Sequence, residues 1–129
     1  MAWVDVVGLL AIIQLFVFGF LVARARGTYG VAAPATTGHP MFERYYRVQV
    51  NTVECLIVFL PALWLAAKYW PPGDVAAVGA IYLVGRILYL KEYVSDPKLR
   101  SPGYGLSMLP ALALAVAALV GAIRALLRG

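Results

Sequence analysis

The chain holds one cysteine, Cys55, and one histidine, His39. A lone thiol cannot form an intramolecular disulfide, and a structural zinc site needs more Cys or His than this, so no metal is expected. Charge is also scarce. Charged residues make up 13% of the chain, about half the usual share of a soluble domain, and only six are acidic. Apolar residues fill the difference at 63%, and the mean hydropathy is +0.82. These values exclude an ordinary soluble domain and describe an integral membrane protein.

Four segments reach the roughly 20 apolar residues that a helix needs to cross hydrocarbon: Trp3 to Ala23, Tyr46 to Trp70, Val75 to Val94 and Tyr104 to Leu127. Their short connections predict one all-α membrane domain over residues 1–129, a four-transmembrane-helix bundle. The first segment has no basic region ahead of it and contains Asp5 and Gln14, so it is expected to be a retained helix rather than a signal peptide. Gly27 to Pro40, rich in Gly, Pro and Thr, ends that helix. Pro71-Pro72-Gly73-Asp74 is a tight turn with Asp74 as the expected N-cap of the third helix, and Asp96 to Pro102 separates the third from the fourth. The Ala/Leu-rich last helix reads as a packing element.

The net charge of +5 has a direction. Arg24, Arg26, Arg44, Arg47, Lys91, Lys98 and Arg100 cluster at the first and third connections, whereas Lys68, Arg124 and Arg128 fall at the opposite face. That asymmetry predicts cytoplasmic loops 1–2 and 3–4, and it assigns the basic excess to the membrane rather than to a nucleic-acid partner.

At about 100° per residue, Arg47, Asn51 and Glu54 share one narrow face of the second helix, and Tyr82, Arg86, Tyr89 and Tyr93 share one face of the third. Glu54 and Arg86 both lie roughly 10 Å below the same surface, at about 1.5 Å of rise per residue. An ionised group at that depth needs a partner or water, so the two are expected to form a supporting ion pair. The same end holds more cations than its own carboxylates neutralise. Arg26, Arg47 and Arg100 resemble an anion receptor, because guanidinium forks match carboxylates, and Glu54 is suited to an ammonium group. The ligand so described is a small zwitterion with more than one carboxylate. Gln49 lies about 200° around the helix from Arg47, facing either another helix or the site of a neighbouring subunit.

The run Gly38-His-Pro-Met-Phe-Glu-Arg-Tyr-Tyr-Arg-Val-Gln-Val-Asn51 resembles the signature of the MAPEG family, membrane-associated proteins in eicosanoid and glutathione metabolism. Gly38, Phe42, Glu43, Arg44, Tyr46, Gln49 and Asn51 match it; Tyr45, Val48 and Thr52 depart from it. The likeness extends from about Arg24 to Arg100 and is strongest to the leukotriene C4 synthase-like branch. It implies a homotrimer that binds glutathione between adjacent subunits near the cytoplasmic surface. It assigns Arg47, Asn51, Glu54, Tyr89 and Tyr93 to glutathione, gives Arg26 and Gln49 to the neighbouring subunit's contribution, and makes Arg100 the residue that stabilises the thiolate.

The implied activity is a glutathione transferase, with peroxidase chemistry as a companion, acting on a lipophilic electrophile or hydroperoxide that arrives from membrane lipid. The implied role is detoxification, and the short chain suggests a bacterial cytoplasmic membrane as its setting. Cys55 and Gly27 depart from that branch, which carries tyrosine and a second arginine there; the missing arginine argues against leukotriene C4 synthesis. Two alternatives compete: a noncatalytic lipid-binding protein of the same fold, and a small four-helix exporter, whose essential glutamate would belong in the first helix rather than the second.

Overall fold

The computed structural model describes all 129 residues, and its architecture is four long helices: α1 (Ala2–Tyr29), α2 (Pro40–Tyr69), α3 (Pro72–Ser95) and α4 (Ser101–Arg128), with a 3₁₀ turn over Pro97–Leu99. Each is long and apolar enough to cross a membrane. Large apolar side chains such as Phe16, Phe20, Ile57 and Leu109 point outward, as a hydrocarbon solvent permits.

The helices outrun their apolar segments for local reasons. α1 continues through Arg24, Arg26 and Gly27 and ends only at Gly30, whose φ of 69° is the left-handed conformation that closes a helix. α2 starts at Pro40, ahead of its first membrane-depth residues, because Gly38-His39-Pro40 is a helix-start device. His39 Nδ1 accepts from the Met41 N–H at 3.1 Å, Pro40 occupies the first turn, and the Glu43 carboxylate accepts from the Gly38 N–H at 3.2 Å. Asp74 does not cap α3 as expected. That helix begins earlier, at Pro72, whose missing N–H needs no cap, and Asp74 sits in the first turn where its charge complements the helix dipole.

The main core joins Val4, Val7 and Ala11 of α1 to Phe59, Leu63 and Ala66 of α2, Tyr82 of α3 and Ala111, Leu114 and Ala118 of α4. The Phe59 and Tyr82 rings stack at 3.8 Å and 9°. α3 packs most extensively on α4. Two glycines permit that approach: a Cβ on Gly85 would stand 2.5 Å from the Leu106 carbonyl carbon, and one on Gly103 would stand 2.4 Å from the Tyr89 nitrogen. The register of α3 against α4 therefore depends on the lack of two side chains, and it sets where Tyr89 meets the start of α4.

Candidate functional site

A cavity of about 580 Å³ opens where α2, α3 and the start of α4 meet. Arg47 and Asn51 of α2, Tyr89 and Tyr93 of α3, and Arg100 at the entry to α4 all line it, together with Ser101, Tyr104 and Gly105. Four residues singled out from the helical spacing, and Arg100 from the basic cluster, thus come together. The cavity lies in the range of roughly 300–1,000 Å³ typical of small-molecule sites. Its lining includes two guanidinium groups and no carboxylate, so the electrostatics favour an anion.

The aromatic wall is built on Tyr89. Its ring lies 5.5 Å from that of Tyr93 and 6.2 Å from that of Tyr104, and the Arg86 guanidinium carbon sits 4.4 Å from its centroid. Arg100 is exposed and its Nη1 donates to the Pro97 carbonyl at 3.0 Å, leaving the rest of the fork free. The start of α4 is pinned from α3, because Glu92 Oε1 accepts from the Gly103 N–H at 2.9 Å. A helix N-terminus beside the cavity adds partial positive charge to that of the arginines.

Arg86 does not form the expected ion pair with Glu54. The guanidinium is fully buried and its named partners are neutral: Nη1 donates to Asn51 Oδ1 at 2.7 Å and to Thr52 Oγ1 at 3.2 Å, and Nε donates to Ser107 Oγ at 2.8 Å. Glu54 is exposed on the outer side of α2. The physical reason is that amide and hydroxyl dipoles meet Nε and Nη1 without stripping water from a carboxylate as well, while the buried Nη2 has no hydrogen-bond partner. One consequence reaches the cavity: with Asn51 Oδ1 turned to Arg86, the Asn51 amide N–H₂ is left for a ligand.

The other expected residues stand apart from this cavity within the chain. Arg26 stacks over Phe42 at 4.7 Å and donates to the Ala35 carbonyl at 2.6 Å and the Val31 carbonyl at 3.5 Å, which folds the first connection back on α1. Gln49 is half-buried and turned toward α1 at Gly19. Cys55 is a buried free thiol with Sγ 3.6 Å from Asn51 Oδ1 and 3.4 Å from Met108 Sδ. Arg44 locks α2 to the end of α3 by donating to the Val94 and Ser95 carbonyls at 2.9 and 3.2 Å. Much of the motif from Gly38 to Arg44 therefore builds the scaffold, and the cavity takes its α2 contribution from Arg47 and Asn51.

Sequence reasoning missed Thr52, Ser107 and Tyr104. α4 is more than a packing element, since Tyr104 joins the aromatic wall and Ser107 holds Arg86. The available signal was a tyrosine and a serine four to seven residues into an otherwise Ala/Leu-rich helix.

A family model described as MAPEG family matches residues 5–120. The chain is 45% identical to an uncharacterized protein of Synechocystis, over 92% of this chain and 86% of that one. It is 40% identical to leukotriene C4 synthase of Cavia porcellus, over 88% of this chain and 76% of that one. To human microsomal glutathione S-transferase 2 it is 38% identical, over 79% of this chain and 69% of that one.

Proposed function

The chain belongs to the MAPEG family and is an integral multi-pass membrane protein, and from that premise we propose that it is a glutathione-dependent transferase that also has peroxidase activity. The observation that carries the proposal is the convergence of Arg47, Asn51, Tyr89, Tyr93 and Arg100 on one carboxylate-free cavity. Relatives named as a leukotriene C4 synthase and a glutathione S-transferase support glutathione as the co-substrate.

In this reading Arg47 binds a glutathione carboxylate through charge-assisted hydrogen bonds, and the Asn51 N–H₂ and the tyrosine hydroxyls orient the peptide. Arg100 stands beside the sulfur. A cation there favours the thiolate over the thiol and so raises the nucleophile's population at neutral pH. The thiolate attacks an electrophilic carbon, a C–S bond forms, and the displaced electron pair leaves with the leaving group or is protonated. With a lipid hydroperoxide it attacks a peroxide oxygen, the O–O bond breaks and an alcohol departs after protonation. A second glutathione then converts the sulfenic acid to disulfide and water.

Residues 1–129 act as a single membrane domain, and three copies complete three sites. Arg26 and Gln49, which face away from the cavity of their own chain, serve the site of the adjacent subunit, while Glu54 holds the glutathione ammonium. Loops 1–2 and 3–4 face the cytoplasm, where glutathione is available, and the role is detoxification of lipophilic electrophiles at a bacterial cytoplasmic membrane.

The test is glutathione binding to purified protein, read as a rise in Tm and as ultraviolet thiolate absorbance near neutral pH. Wild type is expected to show both. Arg100→Ala is expected to bind with little loss but to lower the thiolate signal, with turnover reduced by roughly 10²-fold, the loss typical of removing one stabilising donor. Absence of binding and of any Tm shift in the wild type would replace the enzyme by a lipid-binding protein of the same fold.

A further inference from the structure

At the other end of the bundle α4 overshoots the turn between α2 and α3, and its last arginines hang over that turn. Arg124 and Arg128, one helical turn apart, line a cup of about 120 Å³ with Tyr69, Trp70 and Gly121. Trp70 is fixed, because its indole N–H donates to the Ala117 carbonyl at 2.7 Å, and the Arg124 guanidinium lies over its ring at 5.6 Å. Gly121 makes the close seat possible: a Cβ there would stand 2.4 Å from Tyr69 Cβ. No carboxylate lines the cup.

Arginine near a helix C-terminus complements the helix dipole, but that effect requires neither a cavity nor a clamped indole. The cup also lies at a telling depth. Arg124 is roughly 30 Å along α4 from Tyr104, at about 1.5 Å per residue, so the cup meets the headgroup layer opposite the glutathione cavity. From Trp70 an apolar groove of about 260 Å³ runs between α3 and α4, walled by Val75, Val78, Ala113, Leu114 and Ala117. One acidic residue, Asp74, also lines it and is exposed.

We propose that this cup binds the phosphate of an anionic glycerophospholipid, with an acyl chain laid in the α3–α4 groove. Two guanidinium groups match phosphate oxygens in number and geometry, the Trp70 ring supplies an interfacial anchor, and the groove receives hydrocarbon in the direction that a lipid tail must take. A free inorganic phosphate would engage the arginines but leave the groove unused.

The experiment is native mass spectrometry of the full-length protein released from mixed micelles that contain equal phosphatidylglycerol and phosphatidylcholine. Wild type is expected to retain phosphatidylglycerol in roughly tenfold excess, the effect of a paired charge-assisted contact, and Arg124→Gln with Arg128→Gln to fall to parity. Lys68→Gln, which removes a nearby cation outside the cup, is expected to leave the ratio unchanged. Thermal unfolding in detergent reports that every variant is folded. Equal retention of the two lipids by wild type overturns the proposal. So does an equal loss in Lys68→Gln, which would mean diffuse surface charge, and so does displacement of the lipid by millimolar inorganic phosphate, which would mean a simple anion site.

Discussion

Arg86, sealed behind the Tyr89 wall of the cavity, and Arg100, which lines it, are treated in opposite ways. Arg86 is sealed inside the bundle, shared among Asn51, Thr52 and Ser107 and stacked on Tyr89. Arg100 is exposed, tied by one bond to the Pro97 carbonyl and otherwise open to the cavity. A buried cation with every named partner neutral holds three helices in register, whereas an exposed cation with free donors can answer a ligand's charge. The contrast separates stability from chemistry around one tyrosine. Asn51 belongs to both regions, since its carbonyl serves Arg86 while its side chain lines the cavity.

The sharpest way to break this contrast is to remove its buried half. Arg86→Ala is expected to lose about 2–4 kcal/mol of stability, from the cavity left behind and from the Asn51 carbonyl stranded without its donor. Thermal unfolding in detergent measures it. Arg100→Ala in the same assay should unfold within about 0.5 kcal/mol of wild type, as surface substitutions do. If both variants lose equal stability, the division of roles fails.

The close helix approach comes next in size. Gly103→Ala places a methyl against the Tyr89 backbone, 2.4 Å from its nitrogen, where no flexible side chain can yield. A loss of about 1–3 kcal/mol is expected from this overpacking, together with weaker glutathione binding as α4 carries Arg100 and Tyr104 away from α3. Gly105→Ala is the matched control: it lines the cavity, yet a Cβ there meets nothing within 4 Å. It should leave the unfolding temperature nearly unchanged.

Asn51→Asp probes the shared residue. The carboxylate keeps an acceptor for Arg86 and removes the N–H₂ that would face glutathione, and it adds negative charge to an anion site. The fold is expected to survive while glutathione affinity falls roughly tenfold to a hundredfold, the range of one lost hydrogen bond to a charged group. Titration of glutathione against both proteins at fixed ionic strength reads this directly.

What the sequence made legible follows from what its signals contain. Hydropathy located four helices, and the 3.6-residue period put Arg47 with Asn51 and Tyr89 with Tyr93, because faces of one helix are local facts. The partner of Arg86 was not local. It depends on how far α4 slides along α3, which Gly85 and Gly103 set through missing side chains, and a period cannot report a register between helices. Glu54 shares the Arg47 side of α2 in projection, and like Arg47 it is exposed rather than turned to the buried Arg86. Helix ends were misjudged for a related reason: apolarity marks hydrocarbon, while Gly30, His39 and Pro40 mark where hydrogen bonding begins and stops.

Glu54 supplies the smallest and most selective test. It has no hydrogen-bond partner among the side-chain contacts around Arg86 and stands exposed, so Glu54→Gln should leave the unfolding temperature of the protein unchanged. If its carboxylate holds the ammonium of glutathione, the same variant should weaken binding roughly fivefold, since an exposed ion pair is worth about 1 kcal/mol or less. A glutathione analogue that lacks the amino group separates the causes. It should bind wild type and Glu54→Gln equally, because the contact being removed is one it never makes. Equal weakening of both ligands would instead place Glu54 among the residues that shape the subunit surface, and the ammonium would need another partner.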